Sequence, residues 1–221
     1  EQQRILGGEA PIWAVTPDGL DAALWPRAGA IAERLWSPRT LRDVDDLYRR
    51  LAVLDRELEA IGVQHYANRQ RLVDRLAPED PAPVETLATI VEPVRYGAYL
   101  SVGSQTRSAL FDVVFPESLE ARRFNEEVHR FVANGYDDSD REQIAAHLET
   151  WHASHALFVE AAGRSPALKS TLPVADALGE LASAGLDALS AIRAGRRPAD
   201  AWIAATRDLI ARQQDQARAS S

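Results

Sequence analysis

Three short segments near the start of the chain decide how it folds: Leu6-Gly7-Gly8-Glu9-Ala10-Pro11-Ile12-Trp13, then Leu24-Trp25-Pro26-Arg27-Ala28, then Ala32-Glu33-Arg34-Leu35-Trp36-Ser37. The first is an apolar run that ends at a tryptophan, and it predicts a strand and its exit over residues 4–13. Pro26 suits the first turn of a helix, where a missing N–H costs nothing. The three segments therefore predict one β-loop-α unit, with Ser37-Pro38 ending the helix.

A long amphipathic helix is predicted to follow this unit. Thr40 is a candidate N-cap with Asp43 three residues on, and Gly62 is a typical C-terminal stop. Apolar residues between them recur at spacings of four and three, which places one stripe along a single helix face: Leu47, Leu51, Leu54, Leu58 and Ile61. The pattern weakens from residue 63 to 83, where Pro78–Pro83 reads as a turn-rich connector.

The rest of the chain is predicted to be mainly helical, although residues 84–115 are ambiguous. Start and stop signals place helices from Pro116-Glu117 to Gly135 and from a Ser139/Glu142 capping box to Gly163, and two more begin at Pro173 and Pro198. Four successive amphipathic helices indicate a bundle. We therefore divide the chain into residues 1–38, residues 39–83 and a C-terminal helical domain over residues 84–221.

Composition and net charge exclude several classes of binding partner and site. The 221 residues carry a formal net charge of -8, which gives no electrostatic footprint for nucleic acid or an anionic membrane surface. No apolar run is long enough to cross a bilayer, and the chain contains no cysteine for disulfides or thiolate sites. The chain begins with Glu1 and has no methionine. We expect it to be a C-terminal piece of a longer protein.

The three segments quoted above closely resemble the last barrel unit of glycoside hydrolase family 20, the β-N-acetylhexosaminidases, whose pattern reads roughly LGGEA-x-W, then LWPRA, then AERLW. The close resemblance covers residues 5–38. It implies a mainly α chain, in which the last β/α unit of a TIM (β/α)8 barrel is followed by a C-terminal helical extension, as in some bacterial members. The other strand-helix units would then lie upstream, because such a barrel needs eight of them.

The resemblance also implies an activity. The parent enzyme would remove terminal β-linked N-acetylhexosamine from glycans by retaining hydrolysis, in which the substrate's own acetamido oxygen is the nucleophile. The family tryptophan that corresponds to Trp13 lines the pocket for the 2-acetamido group, so we assign substrate binding to Trp13. The resemblance implies no metal and no organic cofactor, favours a periplasmic or secreted location, and leaves a homo-oligomer open.

The chain departs from the family pattern directly after Trp13. The family has one residue, then a glutamate that binds sugar hydroxyls, then one more residue before Val-Thr-Pro. This chain reads Trp13-Ala14-Val15-Thr16-Pro17, which is two residues shorter and lacks the glutamate. Either the loop is truly shortened or residues are missing from the sequence.

No catalytic acid is assigned within the chain. The family uses an adjacent aspartate-glutamate pair from a middle strand of the barrel, and that pair does not occur here. Asp45-Asp46 and Asp137-Asp138 lie near predicted helix starts, where carboxylates meet the positive end of the helix dipole, so we expect capping or solvated roles. The other motif residues in and around the first helix are expected to pack and pair rather than touch sugar: Trp25, Pro26, Arg27, Glu33, Arg34 and Trp36.

Three histidines lie on one predicted helix, namely His147, His152 and His155. Their spacing gives weak support for a metal site, because His147 points away from His152. His155 continues the apolar stripe and is expected to be a core histidine with a partner, and His65-Tyr66 is expected to serve packing. The rival to the hydrolase interpretation is a non-catalytic helical interaction or scaffolding domain that retains barrel-derived sequence.

Overall fold

The computed structural model describes residues 7–12, 20–92, 110, 113–115 and 117–219, with side chains up to residue 215. The part described is mainly helical and contains no β-strand. None of its helices is long and apolar enough to cross a membrane. The chain folds into two compact units, which we call unit 1 (residues 1–71) and unit 2 (residues 72–221).

Residues 7–12 form no regular secondary structure in place of the predicted strand, and residues 4–6 and 13 lie outside the described residues. A strand exists only when a neighbouring strand binds its backbone N–H and C=O groups, and no such neighbour occurs among the residues described. The mainly α class is therefore confirmed. The assignment of a last barrel unit with a helical extension stays a prediction.

Unit 1 begins with α1 (Leu20–Leu24), α2 (Arg27–Trp36) and α3 (Val44–Ala60). The first two meet at Pro26, and Ser37 ends α2 as predicted. α2 lies close against α3, because a Cβ added at Gly29 would clash with the Leu54 side chain. A bulkier residue at position 29 would push the two helices apart.

The N-cap of α3 is Asp43 rather than Thr40, because the Asp43 side chain accepts a hydrogen bond from the Asp46 N–H. The predicted end of this helix is correct. Gly62 lies just beyond Ile61 with a φ of +96°, a conformation in which glycine carries no Cβ penalty.

Two helices occupy regions that the sequence pattern did not assign. α4 (His65–Leu76) lies where the pattern weakens, and α5 (Ala82–Ile90) lies mostly in the ambiguous stretch from residue 84. α4 crosses the boundary between the two units. Its buried positions include His65, Arg69 and Val73, so two of these three residues are polar and give no apolar periodicity. For that reason the sequence pattern does not reveal this helix.

Unit 2 is a helical bundle around one long helix. Its later elements are α6 (Leu119–Ala133), α7 (Asp138–Arg164), a 3₁₀ turn (Pro166–Thr171), α8 (Leu172–Arg193) and α9 (Asp200–Ala219). α7 packs against α5, α6 and α8, and α9 packs against α8. Two small residues of α8 allow close approach, since Gly179 faces His155 and Gly185 faces Leu148.

Side-chain caps decide where the helices of unit 2 begin. Ser118 caps α6 by accepting from the Ala121 N–H, and Asp137 caps α7 by accepting from the Ser139 and Asp140 N–H groups. The predicted start at Pro116-Glu117 and the predicted Ser139 cap are therefore each displaced by about two residues. The bundle that the pattern predicted is present.

The core of unit 2 consists of two apolar clusters. One is centred on Phe158, which is 1% exposed, and joins residues of α4, α5, α7 and α8. The other is centred on Trp151 and joins α6, α7 and α8. Burial of this kind contributes roughly 1.5–3 kcal/mol for each large apolar side chain.

Candidate functional site

Trp13, the predicted sugar-binding residue, lies outside the described residues, and its role stays a prediction. Its described neighbours on the amino-terminal side, residues 7–12, are exposed. A Cβ added at Gly8 would lie 3.5 Å from Leu35 Cδ2, so this segment runs beside α2. Glu9, the acid of the Gly-Gly-Glu motif, is exposed.

Two charged motif residues of α2 form ion pairs and hydrogen bonds within unit 1. Glu33 accepts from Arg50 Nη2 at 2.6 Å and from Arg50 Nε at 3.2 Å, which joins α2 to α3. Arg50 also pairs with Asp46. This pairing agrees with the expectation for Glu33.

Arg34 binds the carbonyl groups that follow α2. It donates to the Leu41 carbonyl at 2.5 Å and to the Pro38 carbonyl at 2.8 Å. A guanidinium at this end of a helix also meets the negative end of the helix dipole. Trp36 is 90% exposed, so the packing expected for it does not occur among the described residues.

A polar cluster that is buried at Asp55 and His65 links α3 to α4, and the sequence pattern did not predict it. His65, which is fully buried, places Nε2 at 2.8 Å from Asp55 Oδ1, and the Tyr66 hydroxyl donates to Asp55 Oδ2 at 2.6 Å. An ionised carboxylate can only accept, so His65 donates through Nε2. We call these three residues the Asp55 cluster.

Burial raises the pKa of the Tyr66 phenol, and the hydrogen bond to Asp55 raises it further. Both effects disfavour the phenolate, the first by desolvation and the second by placing it beside a carboxylate. One sequence signal could have revealed the cluster. Asp55 lies between Leu51 and Leu58 on the apolar stripe of α3, and an acid there requires a partner.

A longer-range contact joins α1 to the turn before α4. Asp21 Oδ2 accepts a hydrogen bond from the Gln64 backbone N–H at 3.3 Å. Asp21 also holds α1 through its main chain, since its carbonyl accepts from the Trp25 N–H at 2.9 Å. Residues 43 positions apart in the sequence therefore meet here.

The paired acids cap helices and form salt bridges, as expected. Asp46 pairs with Arg49 and Arg50 in the first turn of α3. Asp137 caps α7, and Asp138 pairs with Arg141 at 2.7 Å. These carboxylates therefore stabilise the first turns of α3 and α7.

Two of the three histidines of α7, His147 and His155, contact carboxylates of neighbouring helices, whereas His152 is exposed. His147 places Nδ1 at 2.9 Å from Glu120 Oε1 and Nε2 at 3.2 Å from Glu127 Oε2, both on α6. His155 Nε2 lies 2.7 Å from Asp176 Oδ1 on α8. The partner expected for His155 is present. The prediction that His155 lies in the core is wrong, because its side chain is 36% exposed.

No group of three or more His, Asp or Glu side chains is arranged to hold a metal ion within the described ranges. The two ring nitrogens of His147 each face a different glutamate, which joins two helices rather than forming one coordination sphere. The arrangement therefore serves packing of α6 on α7.

Comparison with known proteins gives a family match at the start of the chain. Residues 1–39 match the catalytic domain of glycosyl hydrolase family 20. The β-hexosaminidase β subunit of Mus musculus is 49% identical over 55 residues, which is 24% of this chain and 10% of that protein. The β-hexosaminidase α subunit of Bos taurus is 47% identical over 62 residues, or 27% of this chain and 12% of that protein.

A solved structure resembles nearly the whole chain. The chitobiase of Flavobacterium johnsoniae superposes with a TM-score of 0.81 and 26% sequence identity, over 96% of this chain and 32% of that protein. The chain thus spans about a tenth of the length of the curated relatives and a third of this structure. The helices beyond residue 39 have counterparts in that chitobiase, because 96% of the chain is superposed.

Proposed function

Since its first 39 residues carry catalytic-domain sequence of glycosyl hydrolase family 20, we propose that this chain is the C-terminal portion of a β-N-acetylhexosaminidase-like enzyme. The parent removes terminal β-linked N-acetylhexosamine from glycans. The observation that carries this proposal is the resemblance of 96% of the chain to a chitobiase, together with β-hexosaminidase relatives at its start.

The burial pattern of α1 and α2 supports a place within a larger barrel. Neither helix contains a buried residue. Ile31 and Leu35 lie four apart on one face of α2 and are 42% and 51% exposed. An outer helix of a β/α barrel covers the strands with such an apolar face. We infer that the upstream barrel portion of the same protein covers this one.

In the proposed mechanism, Trp13 binds the 2-acetamido group. An indole offers a large flat apolar surface and one polar N–H, which suits the face of a sugar or an acetamido methyl group. Holding that group in place matters because its oxygen is the proposed nucleophile, and a positioned nucleophile greatly lowers the entropic part of the barrier. The general acid and its aspartate partner would come from the upstream portion.

The test compares variants of the full-length parent on 4-nitrophenyl N-acetyl-β-glucosaminide. We expect Trp13→Ala to raise KM on the order of tenfold, because an aromatic contact and its buried area are lost. Trp202→Ala, on α9 of unit 2, is the matched control and should leave KM unchanged. The isolated 221-residue chain should show no turnover, since one unit cannot form a barrel site.

Two results would contradict the proposal. A parent without activity on any β-N-acetylhexosaminide would overturn the enzyme assignment, and an unchanged KM for Trp13→Ala would overturn the role of Trp13. The short segment after Trp13 favours one alternative, a helical interaction or scaffolding domain without catalysis. An upstream sequence that lacks both the β/α units and an Asp-Glu pair would favour that alternative.

A further inference from the structure

We propose that the end of α2 is a docking surface for the part of the catalytic domain that precedes residue 1 in the parent, and that Trp36 is its anchor. We call the exposed apolar side chains of residues 36–44 the Trp36 surface: Trp36, Leu41 and Val44. The inference rests on the proposed function, because it assumes a parent with an upstream barrel portion. It goes beyond that function by naming a second contact, separate from the Ile31 and Leu35 face of α2.

The first observation is the exposure of Trp36. Its side chain is 90% exposed, although an indole has a large apolar area to gain from burial. Single exposed apolar residues are ordinary, but Leu41 and Val44 are also exposed, in the segment that directly follows Trp36. Tryptophan is one of the residue types that most often dominate the binding energy of an interface. The end of α2 therefore has the composition of an interface core.

The second observation is the support for this surface. Arg34 donates to the Leu41 carbonyl at 2.5 Å and to the Pro38 carbonyl at 2.8 Å. The Leu41 N–H also donates to the Pro38 carbonyl at 3.0 Å, and the Asp43 cap fixes the start of α3. These polar contacts hold the segment in one shape and leave its apolar side chains exposed. A surface that is ordered in advance loses little conformational entropy when a partner binds.

The third observation is the direction of Trp36 on the helix. Successive side chains of an α-helix are about 100° apart around the axis, which places Trp36 about 100° from Leu35 and about 140° from Ile31. The face that we assign to the barrel strands therefore points in a different direction. We assign Trp36 to a second element of the upstream portion, because the strands under Ile31 and Leu35 do not cover it.

The family match and the length of the relatives identify the occupant. Trp36 lies within residues 1–39, which match a catalytic domain. About two thirds of the chitobiase lies outside the part that superposes on this chain. In the proposed parent, the remainder of such a domain stands upstream in the same molecule. It therefore meets the Trp36 surface at a high effective concentration, which favours it over a second copy of the chain.

The chemistry of Trp36 defines what the upstream portion must offer. The ring requires an apolar pocket, and the indole N–H requires an acceptor, because a buried donor without a partner is costly. A carbonyl group or a carboxylate meets the second requirement. Arg39 and Arg42 add positive charge to the segment, which favours acidic groups at the rim of the pocket.

The experiment compares the 221-residue chain with the full-length parent, both labelled with fluorotryptophan. Trp36→Phe identifies the fluorine NMR resonance of Trp36 in each protein, and a soluble paramagnetic agent then broadens the resonances of exposed rings. We expect this broadening of Trp36 to be at least about fivefold smaller in the parent, because docking buries a side chain that is 90% exposed. Trp151, which is 7% exposed, is the buried reference and should be broadened little in either protein.

Thermal stability gives a second readout. Trp36→Ala should lower the Tm of the parent by about 4 °C or more, since an interface anchor is lost, and should change the Tm of the 221-residue chain by less than about 1 °C. Val132→Ala is the matched control, because Val132 is an exposed apolar residue of α6 that lies outside the family match. It should change neither Tm by more than about 1 °C.

Three outcomes would overturn the inference. Equal broadening of Trp36 in the chain and in the parent would show that no upstream segment covers it. Protection of Trp36 in the 221-residue chain that grows with protein concentration would assign the surface to a second copy. Equal losses of Tm for Trp36→Ala in both proteins would give Trp36 a role within unit 1.

Hydrolysis of 4-nitrophenyl N-acetyl-β-glucosaminide separates this inference from the proposed function. A parent that hydrolyses the substrate but leaves Trp36 exposed retains the proposed function and refutes the docking surface. A parent that protects Trp36 without any hydrolysis retains the docking surface and refutes the proposed function.

Discussion

Units 1 and 2 are stabilised in different ways. Among the described residues of unit 1, the buried ones are Asp55, Leu58, His65 and Arg69, so only one is apolar. Unit 2 instead buries two apolar clusters, centred on Phe158 and Trp151. Unit 1 at the same time leaves Ile31, Leu35 and Trp36 exposed. Polar contacts and ion pairs hold unit 1, whereas apolar burial holds unit 2.

This difference indicates which unit can fold without the rest of the proposed parent protein. A folded unit requires apolar burial to offset the conformational entropy that its chain loses. Unit 2 supplies that burial within its own residues. Unit 1 does not, and its exposed apolar side chains are those expected of a segment that other parts of a barrel cover. Unit 2 is therefore expected to fold alone, and unit 1 is not.

The largest expected effect comes from producing the two units as separate polypeptides, each of which contains the whole of α4. A polypeptide of residues 63–221, which keeps α4 whole, should unfold cooperatively in urea and retain the helical circular dichroism of its portion of the chain. A polypeptide of residues 1–77 should show well below about half of the helicity expected from the structure, because short helices without a core are marginal in water. A cooperative transition in the shorter polypeptide would break the comparison.

A smaller effect is expected from removing one side chain of the unit 2 core. Phe158→Ala should lower the free energy of unfolding of the 221-residue chain by about 3–5 kcal/mol, because it removes a buried ring and leaves a cavity. The neighbouring Leu157→Ala is the control. Leu157 is 46% exposed, and its replacement should change stability by less than about 0.5 kcal/mol. Urea unfolding checks both values, and equal losses would contradict the burial pattern.

The smallest effect concerns the polar cluster of unit 1. Because the pKa of Tyr66 is raised in the folded state, we expect its phenolate absorbance to appear above the ordinary tyrosine value of about 10. The folded state binds this proton more tightly, so the contribution of Tyr66 to stability is complete below the ordinary value and is lost as pH rises past it. Tyr66→Phe identifies the signal in a spectrophotometric titration.

Asp55→Asn should move that signal toward lower pH, since it removes the carboxylate that disfavours the phenolate. Tyr136→Phe, at a tyrosine that is 51% exposed and lies outside the cluster, is the control and should leave the Tyr66 signal unchanged. A Tyr66 signal unaffected by Asp55→Asn would show that the cluster does not hold unit 1 in the way described.

The fold could be predicted from the sequence where apolar periodicity and stop signals coincide. The leucine stripe of α3 ends at Gly62 as predicted, and the helix before Gly135 also ends where its glycine indicated. The pattern failed where buried residues are polar, as at His65 and Arg69 of α4. Of the candidate site, the motif and its family could be recognised, but the attachment of Asp21 to Gln64 could not, because residues so far apart meet only in three dimensions.

The sequence by itself determined the helices that carry apolar periodicity and a glycine stop, such as α3 and α6, and which family the first residues resemble, because both depend on residue type and on spacing along the chain. Only the tertiary structure decided which carboxylate caps each helix, as with Asp43 in place of Thr40 and Asp137 in place of Ser139. It also decided that Asp55 binds His65 and Tyr66. The physical reason is that a polar side chain chooses its partner by distance and burial, and both are set by how the helices pack.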